Sequence, residues 1–266
     1  MSVAAEPGLL ARKLRLVRLG GPLLTTADAG PAPADLEAAY RIADELVALD
    51  IARWGPVRGY KIGANNAAGQ QQLGLAEPFF GRVPAQRVFA SGAPLATLSS
   101  GCTIEAEVGI RILADLPARS WPYAREDIRL AGAEVLPLFE INRPSFAEPF
   151  QVGGLLLIAD NGVTQALVTG PATPLARIGS WSDETCSMLR NAALCAESSV
   201  GLRLGDPLDM VLWLANALVK RGAGLKRGDV VASGALTPPI PFVPGDRLLA
   251  RFATLGEVEF VAGPWA

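Results

Sequence analysis

Glu105-Ala106-Glu107, with Glu140 further along, sets three carboxylates among apolar residues in a 266-residue chain that has no histidine. On a strand, residues i and i+2 share a face with Cα atoms roughly 6.6 Å apart. Glu105 and Glu107 can therefore bracket one ion, while Ile104, Ala106, Val108, Ile110 and Ile112 form the opposite, core-facing row. Without a counter-charge the two carboxylates would repel by about 2–3 kcal/mol at an effective dielectric of about 20. A solvated strand face, with Arg111 as neutralising partner, would account for that pair alone. Glu140 is less easily dismissed, since Leu136 and Leu138 share its face and Phe139 and Ile141 occupy the other. It is predicted to be buried, and a buried charge needs a partner, such as Arg143, or a metal. Three carboxylates completed by water and substrate oxygens suit Mg²⁺ or Mn²⁺ rather than zinc.

Lys61 is one of four lysines. The other three, Lys13, Lys220 and Lys226, each lie beside an arginine in settings that read as exposed, whereas Lys61 stands between Tyr60 and Ile62. A lysine desolvated near a cation loses proton affinity and can shuttle a proton or anchor a carboxylate; the plainer alternative is a snorkelling strand lysine. Asp160-Asn161-Gly162 closes the apolar run Leu155–Ala159, either as an Asx-type turn or as a set of polar groups at the mouth of a buried strand. Gly234-Ala235-Leu236-Thr237, before Pro238-Pro239, offers close backbone approach and one hydroxyl.

The elements that must position these residues are read from periodicity. Pro33-Ala34-Asp35 opens a helix running to about Leu49 and stopped by Gly55-Pro56; a short strand follows from Val57 to Ile62, with a helical turn over Gln70–Gly74. Apolar alternation predicts strands over Thr103–Leu113 and Val135–Asn142, and the run near Leu155 reads as a further buried strand. Later strands are expected over Val230–Ser233 and Arg247–Phe252, with a turn at Pro244-Gly245-Asp246. Helices are expected around Asp183–Ser199 and from Asp206-Pro207, an N-cap followed by proline, to about Gly222. The chain is thus expected to be α+β, with a helical and mixed N-terminal part (1–87) covering a β-rich, mostly antiparallel core (88–266).

Composition narrows the function. Half of the residues are hydrophobic and the net charge is −2, with no Lys/Arg run, which argues against a nucleic-acid or membrane-surface role. The apolar runs are too short to span a bilayer, and no signal peptide is recognised. Cys102, Cys186 and Cys195, odd in number and without CxxC spacing, read as small buried hydrophobes in a reducing, cytoplasmic setting.

Several segments taken in order carry a resemblance: Gly59-Tyr60-Lys61-Ile62-Gly63, Leu73-Gly74, Glu77-Pro78-Phe79-Phe80-Gly81, Ile104-Glu105-Ala106-Glu107, Pro137-Leu138-Phe139-Glu140-Ile141, Ala159-Asp160-Asn161, Gly234-Ala235-Leu236-Thr237 and Pro244-Gly245-Asp246. Together, over residues 36–262, they resemble the 2-keto-4-pentenoate hydratase and 4-oxalocrotonate decarboxylase group of the fumarylacetoacetate hydrolase superfamily. The resemblance implies a mixed β-roll with a helical N-terminal part, a homo-oligomer, Glu105, Glu107 and Glu140 as ligands of Mg²⁺ or Mn²⁺, and Lys61 as the active-site lysine. Carbon–carbon hydrolases of the superfamily use a histidine–glutamate pair that this chain cannot supply, so a lyase is expected. Two departures stand out: Phe79 and Phe80 where hydratases of the group carry an acidic residue, and Gly162 and Val163 where they carry serines.

The leading expectation is a metal-dependent hydratase that converts a 2-hydroxy-2,4-dienoate to a 4-hydroxy-2-oxo acid. Lys61 would handle a proton or the C2 oxygen, and Asn161 and Thr237 would contact substrate or water. One alternative is decarboxylation of a 2-oxo-3-enedioate, whose second carboxylate Arg82, Arg58 or another of the arginines could receive. A non-catalytic metal- or metabolite-binding homologue, suggested by Phe79 and Gly162, is the other.

Overall fold

The structure is a computed structural model that describes residues 7–93, 95 and 100–264. The N-terminal part holds helices α1 (Pro7–Arg18), α2 (Thr26–Ala29) and α3 (Leu36–Trp54), strand β1 (Val57–Gly63), helix α4 (Ala67–Leu73) and strands β2 (Phe79–Pro84) and β3 (Val88–Ala90). Strand β4 (Thr103–Ile112), helix α5 (Arg125–Ala131), strand β5 (Ala133–Asn142), helix α6 (Gly154–Ala159) and strands β6 (Thr164–Thr169) and β7 (Thr173–Pro174) follow. The C-terminal part comprises strands β8 (Thr185–Arg190) and β9 (Ala193–Ser199), helices α7 (Val200–Arg203) and α8 (Pro207–Lys220), and strands β10 (Val230–Ala235), β11 (Ile240–Pro241), β12 (Arg247–Phe252) and β13 (Gly256–Val261).

The main sheet runs β2-β1-β10-β4-β5-β6-β3, with β11 and β7 attached to β4 and β5; β1–β10 and β3–β6 are parallel and the other pairs antiparallel. Strands from both sides of residue 87 therefore share one sheet. A second antiparallel sheet, β13-β12-β8-β9, covers one face. Phe139 and Ile141 of β5 join Met188, Leu248, Ala250 and Phe260 in the main core, together with Val211, Leu214 and Ala215 of α8. The other face carries Leu136, Leu138, Leu167 and Ala232, and with them Glu140. The strict alternation along β5 thus divides it between two apolar layers and strands one carboxylate inside.

Local chemistry explains the helices. Asp35 caps α3 by accepting a hydrogen bond from the Ala38 amide, and the chain leaves the helix at Gly55, where φ is 81°. Asp206 caps α8 through the Leu208 amide with Pro207 in the first turn, as predicted. A third apolar cluster joins Leu10, Ala11 and Leu14 of α1 to Ile42 and Leu46 of α3 and Leu156 of α6.

Three expectations need correction. The run near Leu155 is the buried helix α6 rather than a strand, because a short apolar run lacks the period that separates the two. Asp183–Ser199 is no helix: it contains the β8–β9 hairpin, turned at Asn191 and Ala192, whose φ values are 53° and 67°. Cys102 and Cys186 are buried as expected, but Cys195 is exposed on β9.

Candidate active site

Glu105 and Glu140 face each other directly across the β4–β5 ladder, and Glu107 follows two residues along, opposite Leu138. One carboxylate oxygen from each of the three lies within 4.8 Å of the others. Two strands away, Lys61 on β1 pairs with Ala232 of β10, whose methyl side chain leaves room for the lysine to reach across the sheet. Its Nζ lies 3.4 Å from Glu140 Oε1.

Glu107 gains its one hydrogen bond from a backbone irregularity. Between Ala232 and Ala235, β10 holds one residue more than the facing stretch of β4, and at this bulge Gly234 adopts φ 127°, a conformation that favours glycine. The bulge aims the Gly234 amide at Glu107 Oε2, 2.8 Å away. A Cβ at position 234 would also fall 2.2 Å from Asn65 Nδ2.

Three carboxylates against one ammonium leave the site two charges negative when all are ionised. Glu107 and Glu140 are each 1% exposed. Burial, then the neighbouring Glu140 charge, pushes the Glu105 carboxyl up to about 7. Glu107 is raised well above its ordinary value by burial and by Glu140 and Glu105. Glu140 Oε1 is buried without a hydrogen bond among the described residues, and Lys61 meets it as an ion pair. Convergent, partly unsatisfied carboxylates with a net charge of about −2 fit a hard divalent cation bound through oxygen.

The cluster opens into a cavity of about 250 Å³. Lys61, Glu105, Glu107, Thr103, Asn142 and Asn65 contribute its polar groups, while Leu73, Phe79, Pro144, Leu157, Val163 and Pro239 supply apolar wall. Lys61 is the one basic side chain among the described lining residues. Its Nζ lies 5.3 Å from the centre of the Phe79 ring. Gly162, at φ 64°, closes over both: a Cβ there would stand 2.6 Å from Lys61 Cε and 3.0 Å from Phe79 Cε2. The glycine and the phenylalanine that depart from the resemblance therefore fit together around the lysine.

Other predicted residues lie elsewhere. Asn161 is buried with both ends of its amide on the Arg82 backbone, Nδ2 donating to the carbonyl and Oδ1 accepting from the amide, each at 2.8 Å. Thr237 Oγ1 accepts from the Ala106 amide at 3.0 Å, on the core side of β4. Neither lines the cavity; both hold its frame. Arg111 pairs with Glu134, Arg82 with Asp44, and Arg143 donates to the Pro144 carbonyl. Arg58 is half-exposed near Asp229. None of these four arginines is in the cavity wall, so the second-carboxylate pocket expected from Arg82 or Arg58 is not formed.

The sequence reading missed Asn142 and the long-range partner of Asp160. Asn142 lies two residues beyond Glu140 on the same face of β5, and Nδ2 donates to Glu105 Oε2 at 2.7 Å; the period-two alternation that picked out Glu140 could have found it. Asp160, fully buried, accepts from the Ser145 amide and hydroxyl and pairs with Arg18 of α1 at 3.2 Å. That junction anchors the Asn161–Val163 turn, and no local pattern announces a partner 142 residues away.

Comparison with known proteins places this geometry. No family model matches the chain. The chain is 31% identical over 236 residues to a TodF product hydratase of Pseudomonas putida F1, an alignment covering 84% of this chain and 83% of that protein. It is 30% identical over 229 residues to 2-keto-4-pentenoate hydratase 1 of Dechloromonas aromatica, covering 85% of each chain. The chain belongs to the 2-keto-4-pentenoate hydratase family. A 2-keto-4-pentenoate hydratase of Burkholderia vietnamiensis G4 is 29% identical over 94% of this chain and 95% of its own length. Among solved structures, the 4-oxalocrotonate decarboxylase of Pseudomonas putida G7, complexed with magnesium and adipate, superposes with a TM-score of 0.84 at 23% identity over 100% of this chain and 99% of that one. The fumarylpyruvate hydrolase of Pseudomonas aeruginosa, in complex with Mn²⁺ and pyruvate, gives 0.58 at 20% identity over 78% and 89%. The hydratase-family chain thus has the curled, mixed sheet of the fumarylacetoacetate hydrolase superfamily, as expected from its sequence.

Proposed function

We propose that this protein is a divalent-metal-dependent hydratase that adds water to a 2-hydroxy-2,4-dienoate to give a 4-hydroxy-2-oxo acid. The observation that carries the reading is the convergence of Glu105, Glu107 and Glu140, with Lys61 beside them, at the polar end of a largely apolar cavity. The names of the curated relatives support the hydratase activity, and the metals in the complexes of the structural neighbours support a divalent cation. Mg²⁺ or Mn²⁺ is the proposed ion, held by the three glutamates. When bound, it supplies Lewis-acid stabilisation of negative charge on the substrate's C2 oxygen.

The chain's own residues do the remaining work. Lys61 carries a proton at the C2 oxygen or the dienoate carbon, where its ammonium stands close to the carboxylate cluster. Phe79 and Gly162 fix the lysine's approach. Leu73, Leu157, Val163 and Pro239 enclose the substrate beyond its carboxylate end and exclude bulk water.

Decarboxylation of a 2-oxo-3-enedioate is the second reading, supported by the likeness in fold to the decarboxylase. The cavity opposes it, because no basic side chain other than Lys61 lines the described wall to receive a distal carboxylate. The reading includes a cytoplasmic homo-oligomer, for which exposed Leu9, Leu16 and Leu202 offer apolar contact surface. Among the described residues no helix is long and apolar enough to cross a membrane.

Mixing Mg²⁺-loaded protein with 2-hydroxypentadienoate tests the proposal. Loss of the diene absorbance is expected, with little CO₂ released from oxalocrotonate. Unchanged absorbance over hours with metal demonstrably bound would sink the hydratase assignment.

A further inference from the structure

Asn142 is 4% exposed, lines the cavity and uses only one end of its amide within the protein. Nδ2 donates to Glu105 Oε2 at 2.7 Å, whereas Oδ1 is buried with no hydrogen-bond partner among the described residues. A buried amide oxygen left unpaired costs desolvation energy that a protein recovers when a ligand supplies the donor. Thr103 faces Asn142 across the ladder, and its side chain also lines the cavity. The amide therefore stands in the cavity wall beside the carboxylate cluster, one end on a candidate ligand and the other buried and unpaired.

We propose that Asn142 has two roles in this site: through Nδ2 it orients Glu105 toward the cation, and through Oδ1 it accepts a hydrogen bond from a hydroxyl group in the cavity, either the adding water or the substrate's own hydroxyl. The inference rests on the metal-dependent hydratase reading. An asparagine suits both jobs because its amide presents a donor and an acceptor in one rigid plane, whereas an aspartate in the same place would meet Glu105 with like charge. Orientation by Nδ2 makes Asn142 a positioning residue for the metal, and the contact from Oδ1 makes it a substrate- or water-binding residue.

The test uses the full chain, Mn²⁺ as the metal probe and 2-hydroxypentadienoate as substrate. Asn142→Leu, nearly isosteric but without hydrogen-bonding groups, is expected to weaken Mn²⁺ binding by about 10–100-fold. In a Glu105→Gln background the same change is expected to cost less than in the wild-type chain, because it acts through Glu105. At saturating Mn²⁺, Asn142→Leu is expected to lower kcat by about tenfold with KM little changed. Asn142→Gln, which keeps both amide functions on a longer arm, recovers part of each loss and guards against a mere folding defect, as does the melting curve of each variant. Wild-type Mn²⁺ affinity in Asn142→Leu, or an equal cost in the Glu105→Gln background, overturns the positioning role. Wild-type kcat at saturating metal overturns the acceptor role. If the wild-type chain binds Mn²⁺ but leaves the diene intact, the hydratase reading fails and the acceptor role with it, while the metal titrations still decide the hold on Glu105.

Discussion

Lys61 Nζ lies 3.4 Å from Glu140 Oε1, although β10 and β4 stand between the strands that carry them. Lys61 stands beside Ala232 of β10 in the ladder, and its ammonium ends among the carboxylates. One ammonium cannot satisfy three glutamates, two of them buried. The pair therefore defines a site with negative charge to spare and an ammonium beside it.

Removing the proposed proton carrier, Lys61, is expected to separate chemistry from metal binding. Lys61→Met keeps the length of the apolar stem but loses the charge, and kcat should fall by about 10²–10⁴-fold. Mn²⁺ binding should persist, since all three glutamates remain. Steady-state kinetics with a parallel Mn²⁺ titration checks both halves, and undiminished turnover would favour a different proton carrier.

The metal-free protein is expected to lose stability as pH rises from about 4.5 to about 7. Glu105 is raised from the ordinary value of 4.5 to about 7 in the folded state by burial and then by Glu140. Over that window the folded chain holds a proton that the unfolded chain has released, so stability falls with pH. A saturating divalent cation compensates the negative charge and should flatten the trend. Melting temperatures of chelator-treated and Mg²⁺-loaded protein across this range provide the measurement; a metal-free profile that rises with pH would refute the expectation.

Gly162→Ala is expected to damage both stability and activity. The new Cβ would stand 2.6 Å from Lys61 Cε on a backbone at φ 64°, so both the residue and its neighbour must shift. Backbone strain of this kind costs about 1–3 kcal/mol, readable in a urea titration. Displacement of the lysine should lower kcat by about 10–100-fold. A variant with wild-type kcat would mean that the lysine's position against Phe79 is immaterial.

Breaking the Arg18–Asp160 pair should destabilise the whole fold from outside the cavity. Arg18 is 7% exposed and Asp160 0%, so Arg18→Met leaves a buried carboxylate without its counter-charge. The expected cost is about 3–5 kcal/mol, seen as a lower melting temperature in calorimetry. Adding Asp160→Asn removes the stranded charge and should return part of the loss. No recovery in the double variant would indicate that Arg18 acts through packing or through its bond to the Thr164 carbonyl.

The legible parts of this chain were those encoded in short windows. Asp35 and Asp206-Pro207 marked helix starts because capping is a matter of a few neighbouring residues. Alternation marked β4 and β5 because each separates two environments. The β8–β9 hairpin was misread because Ala193, Ala196 and Leu194 are good helix formers and its turn carries Asn191-Ala192 without the usual glycine. There the ladder with β12, which buries Cys186 and Met188, overrides local propensity. Helix α1 was not recognised at all, although Leu10, Leu14 and Val17 form its buried stripe.

The sequence by itself determined which residues could meet an ion: Glu105 and Glu107 share a face because side chains alternate along a strand, and Glu140 is stranded between apolar layers for the same reason. Only the tertiary structure decided what surrounds them. Lys61 comes to Glu140 across the sheet, Gly234 reaches Glu107 through a bulge, and Asn161 and Thr237 hydrogen-bond backbone behind the cavity wall. Each of these follows from strand order and register, which are set by cooperative packing over the whole chain and leave no trace in any local window.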